Sequence, residues 1–175
     1  MDICQFRSIP FQEYEETKMK ESIKKGLGFG LTSGVITTLG MMVGLNASTG
    51  SRTAVLGGII AIAIADAFSD AVGMHISEEA QDHHSTREVW EATFSTLLSK
   101  FLFALTFVVP VLVFQLSTAI FVSVCWGASL VVIFSWHLAR VQDSKIYRVV
   151  LEHVAIVGLV IIITHYVGRW IATLY

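Results

Sequence analysis

The sequence predicts an all-α membrane protein, a bundle of five transmembrane helices in one domain. Three observations predict it. Hydrophobic residues make up 54% of the 175 and charged residues only 15%, whereas soluble domains carry about a quarter charged. The mean hydropathy is +0.66. Five apolar runs, at 26–45, 54–77, 89–114, 119–138 and 149–170, are each near the roughly 20 residues a spanning helix needs. Inside hydrocarbon every backbone donor and acceptor must be paired within the protein, so runs of this length are helices.

Residues 1–25 read as a cytoplasmic tail. Met1 to Glu16 is polar and acidic, without the apolar core of a cleavable signal peptide, so the tail is expected to stay on the mature chain. Lys18, Lys20, Lys24 and Lys25 follow, with spacing that suits a short amphipathic helix on the membrane surface. The first span carries Gly26, Gly30 and Gly34 in one register, then Gly40 and Gly44. Lipid supplies no hydrophobic drive between helices, so such small surfaces are a main source of association. The first helix is therefore expected at the centre of the packing, and through Gly30 and Gly34 at the contact between two copies of the chain.

The second span holds the costliest residues. Asp66 and Asp70 each cost about 2.5 to 3.5 kcal/mol near a bilayer centre, and four residues apart they share a helix face. Ser69 lies beside them, and Met74 offers a soft thioether one turn further. Two oxygen ligands one turn apart suit a divalent cation, and two carboxylates this close let a proton compete with the metal for them. The plainer alternative is structural glue, in which each aspartate pairs with a buried cation or donor. Lys100 is the one intramembrane cation the sequence offers for that.

Between the second and third spans, Glu78, Glu79, Asp82 and His83 form a dense set of oxygen and imidazole donors, followed by Glu88 and Glu91. Glu79, Asp82 and His83 would share a face if the second helix continued past the membrane. These six residues read as a cytoplasmic site that gathers metal, or else as the polar cap of a long helix. In the third span Pro110 removes one backbone hydrogen bond and predicts a kink. The short stretch between the third and fourth spans makes those two helices antiparallel neighbours. His75, His137, His153 and His165, with Met41 and Met42, are further possible ligands, read more simply as packing residues.

Lys and Arg cluster at the N-terminus, at Arg87, and at Arg140, Lys145 and Arg148, against Arg52 and Arg169 at the other ends. The positive-inside rule then puts the N-terminus in the cytoplasm and the C-terminus outside. A net charge of −2 with no basic face excludes nucleic-acid binding. Cys4 and Cys125 lie too far apart in character, one in the tail and one in a span, to suggest a zinc knuckle or a disulfide framework. No cofactor beyond a transported ion is expected.

The segments Gly30-Leu31-Thr32-Ser33-Gly34-Val35 through Val43-Gly44-Leu45, and Ile64-Ala65-Asp66-Ala67-Phe68-Ser69-Asp70-Ala71-Val72-Gly73 through Ser77-Glu78-Glu79, resemble the vacuolar iron transporter family and its relatives of the cross-complementer-of-calcium type. A weaker likeness extends to 104–114 around Pro110 and to 154–171. The resemblance implies a homodimer of five-helix subunits that exchanges iron(II), or manganese(II), for protons along the dimer interface. Two departures stand out. Ser33 occupies the position where the family often has an aspartate, and Asp70 that of a frequent methionine, so the acidic ligand is moved from one helix to its neighbour. The long glutamate-rich insertion of some members is missing, and only 78–91 would serve in its place.

The leading expectation is thus a proton-coupled transporter that moves iron(II) or manganese(II) out of the cytoplasm. Asp66, Asp70, Ser33, Ser69 and Met74 would be its transport ligands. The alternatives are a membrane scaffold and a metal-dependent membrane enzyme. A di-iron enzyme would want two Glu-x-x-His pairs, which the sequence does not contain, and no enzyme is expected.

Overall fold

The computed structural model describes residues 11–81, 85–141 and 145–174. They form six helices: α1 (Phe11–Thr49), α2 (Arg52–Glu79), α3 (Thr86–Thr106), α4 (Val108–Val113), α5 (Leu116–Val141) and α6 (Ile146–Ile171). There is no strand among the described residues. Five stretches are long and apolar enough to cross a membrane, α3 and α4 together making the third. The expected five-helix bundle is therefore present. The spans are two to nine residues longer than the apolar runs, and at 26 to 29 residues they reach about 40 Å at 1.5 Å per residue, past a hydrocarbon layer of roughly 30 Å.

The helix ends follow from local chemistry. Gly50 adopts φ 58°, the left-handed conformation that glycine takes without penalty after a helix, and closes α1 with a bond from its N–H to the Asn46 carbonyl. The Ser51 hydroxyl then caps α2 by accepting from the Ala54 N–H. Ser85 and Glu88 form a reciprocal capping box at the start of α3, satisfying two of the N–H groups a helix N-terminus leaves open. The surface helix expected around Lys18 to Lys25 is not a separate element. α1 is continuous from Phe11 to Thr49, since nothing between Phe11 and Lys25 breaks a helix.

Pro110 does more than kink the third span. It lacks the N–H that would reach the Thr106 carbonyl, and the helix stops at Thr106, turns at Phe107 and resumes as α4. The Thr106 hydroxyl donates to the Phe103 carbonyl at 2.6 Å and accepts from the Trp126 indole of α5 at 3.1 Å. The break is thereby tied to the next span.

α1 sits at the centre, packed against α2, α3, α5 and α6. The core is built on its Val35, Leu39 and Met42, which meet Val55 and Ile59 of α2, Phe107, Val111 of α4, and Val131 of α5. A central first helix was expected. Its partner at the glycine face was not: Gly26 and Gly30 are taken up by α3 of the same chain. A Cβ on Gly30 would stand 2.0 Å from the Ser99 hydroxyl and 2.6 Å from the Thr96 carbonyl. That face, expected to seat a second copy, is closed within the subunit.

Candidate functional site

The close approach of α1 and α3 sets up the site. A side chain at Gly34 would meet the Lys100 stem at 3.1 Å and its backbone at 3.2 Å. Glycine there lets Lys100 run along α1 to Ser33. The ammonium donates to the Ser33 hydroxyl at 2.8 Å, lies 2.6 Å from an Asp66 carboxylate oxygen, and donates to Asp70. Ser33 in turn donates to the same Asp70 oxygen at 2.6 Å. Three helices thus bring four side chains to one point, with Asp66 and Lys100 near the middle of their spans.

Lys100 is 1% exposed, while the Asp66 and Asp70 side chains are 26% and 20% exposed. One ammonium against two carboxylates leaves a formal charge of −1. The ammonium is held by oxygens of Ser33, Asp66 and Asp70, so the cluster carries its own cation. Asp66 and Asp70 do share a face, as their spacing required, and the cation the sequence offered for them is the one they hold.

The other expected residues divide. Met74 is buried on the face of Asp66 and Asp70, and Glu78, fully buried, lies one turn beyond it. Asp66, Asp70, Met74 and Glu78 therefore form one line along α2, about 18 Å from end to end at helical rise. At its far end Lys25 reaches Glu78 at 2.5 Å. Ser69 is exposed on the outer surface of α2, away from the ammonium.

The expected gathering site is mostly spent on other contacts. Glu88 belongs to the capping box, Glu91 accepts from Arg87 at 2.9 Å, and Glu79 is exposed, 4.0 Å from His75. Asp82 and His83 lie outside the described residues. Among the described residues no three His, Cys, Asp or Glu side chains converge as a metal site.

Among the histidines, His75 hydrogen-bonds Thr93 at 3.1 Å and packs on Trp90. His153 pairs with the buried Ser135 at 2.7 Å. His137 and His165 are exposed. The Lys25–Glu78 pair is not among the contacts expected from the sequence. The signal was present, since both lie at the same end of adjacent spans and a carboxylate at a helix end seeks a cation.

The outer face of α2 has its own character. Gly57, Ala61, Ala65, Ser69, Gly73 and Ser77 are all exposed at four-residue intervals, and nothing lies within 4 Å of a Cβ built on Gly57 or Gly73. Asp66 and Asp70 each follow one of these residues, at the margin of the strip. Compared with protein-family models and with curated proteins, the chain matches none.

Proposed function

We propose that the protein is a transporter of divalent transition metal ions, iron(II) or manganese(II), which it exchanges for protons and moves out of the cytoplasm. The observation that carries this reading is the convergence of Ser33, Asp66 and Asp70 oxygens on one cationic atom at mid-span. Oxygen sets of this kind suit hard and borderline cations. Ionisable groups at such depth mark ion pathways and proton relays in membrane proteins.

Lys100 acts in this reading as a tethered stand-in for the ion. An arriving metal displaces the ammonium and binds the two carboxylates, and after it leaves, Lys100 and protons again balance the charge. Met74 and Glu78 extend the path towards the side that carries Lys25. The resemblance of the α1 and α2 segments to the vacuolar iron transporter family supports the same reading.

A second copy would pack against the strip of small residues on α2. Carboxylates at the margin of a lipid-facing surface are costly, and close contact through small residues would cover them. The partly exposed Asp66 and Asp70 would then line a path between the copies.

Flux of iron(II) and manganese(II) into proteoliposomes, read together with lumenal pH, tests the reading. Asp70→Asn keeps shape and one oxygen but removes the charge, and should abolish metal-driven proton movement in a correctly inserted protein. A specific observation also favours a scaffold, because Lys100 already meets both carboxylates within the chain. Under that reading the parent protein carries no flux at any metal concentration.

A further inference from the structure

At the α5–α6 end of the bundle, Val132, Ile133 and Trp136 of α5 face Ile146, Tyr147 and Val150 of α6 across an open groove of about 960 Å³, with Lys145 at its rim. The walls are almost wholly apolar apart from that lysine. Arg140 lies with its guanidinium 4.2 Å from the centre of the Trp136 ring, which brings a second cation to the same end. Glu152 is exposed on α6 but is not one of the walls. Residues 140–148 hold Arg140, Lys145 and Arg148 against Asp143, a formal +2.

We infer that this groove is a binding site for a phospholipid with an anionic headgroup, one acyl chain lying between α5 and α6 and the phosphate against Lys145 and Arg140. An apolar wall alone would take any lipid of the bilayer. The two cations, and the Trp136 and Tyr147 rings characteristic of the headgroup level, select the charge and the depth. Basic pockets between spanning helices on the cytoplasmic side hold anionic headgroups in this way. The positive-inside count places this end of the bundle on that side, where anionic lipids concentrate. The site is independent of the transport reading, and its test does not involve metal.

The full-length protein is reconstituted in phosphatidylcholine vesicles that contain increasing fractions of phosphatidylglycerol, with bromine on the acyl chains of one lipid or the other. Quenching present in the parent protein and missing from Trp136→Phe isolates lipid at the groove. Phosphatidylglycerol should be preferred there by at least about fivefold, the size expected of one cation near a headgroup. Lys145→Gln should lower the preference towards parity and Lys145→Arg should keep it. Equal quenching by the two brominated lipids in the parent protein overturns the inference, and so does an undiminished preference in Lys145→Gln.

Discussion

Lys100 is almost fully buried, and the energetics of the site turn on it. A lysine stem can often carry its ammonium to water, but here the stem runs along Gly34 and ends on Ser33 and two carboxylates. Removing one partner of a buried ion cluster leaves the rest uncompensated, at a cost of about 3–5 kcal/mol. Lys100→Met should therefore lower the thermal stability of the detergent-solubilised protein by an amount of that order. Replacing the whole set, with Asp66→Asn and Asp70→Asn added, should recover most of the loss, because an uncharged cluster of similar shape is often close to neutral. A parent-like melting temperature for Lys100→Met alone would mean that the cluster carries little energy. For transport the expectation is different: Lys100→Met should bind manganese(II) more tightly, by about tenfold, since the tethered competitor is gone. Equilibrium binding in detergent measures this, and unchanged affinity would remove Lys100 from the proposed mechanism.

At the scale of the helices, two sets of small residues do two different jobs. The glycines of α1 are needed inside the subunit, where Gly30 faces the α3 backbone with no room for a methyl group. Gly30→Ala should force α1 and α3 apart, cost about 1–3 kcal/mol as overpacking does, and pull Lys100 away from Ser33. Gly57 on α2 has open space around it. Gly57→Leu should leave the fold of the single chain intact and, if copies meet along this strip, shift the protein from dimer to monomer in light scattering. An unchanged mass for Gly57→Leu, together with no cross-link between copies through Ala65→Cys, would place that strip against lipid.

For the molecule as a whole, the described Lys and Arg residues near the start of α1, the α2–α3 connection and the α5–α6 connection lie at one end of the bundle, with Arg52 and Arg169 at the other. If all five spans cross, their odd number puts the two termini on opposite sides. Single cysteines near Lys18 and near Tyr175, in a background without Cys4 and Cys125, should accordingly be labelled from opposite faces of sealed vesicles. The first is expected to react from the cytoplasmic side. Labelling of both from one side would overturn the topology.

How much of this was legible in the sequence depends on whether the physics is local. Span number and approximate position follow from hydropathy and length. The shared face of Asp66 and Asp70 follows from helical periodicity, and a kink at Pro110, though not the full break, from a missing N–H four residues after a carbonyl. None of these requires knowledge of a neighbour. Which face meets which helix is a different question, because it depends on how surfaces distant in the chain fit. Only the tertiary structure decided that Gly26, Gly30 and Gly34 of α1 receive α3 rather than a second copy, that Lys100 reaches both carboxylates and Ser33 at once, and that Ser69 stays outside the cluster while Glu78 is buried against Lys25. A helix offers its whole circumference to its neighbours, and close packing among all five spans selects the part that is used.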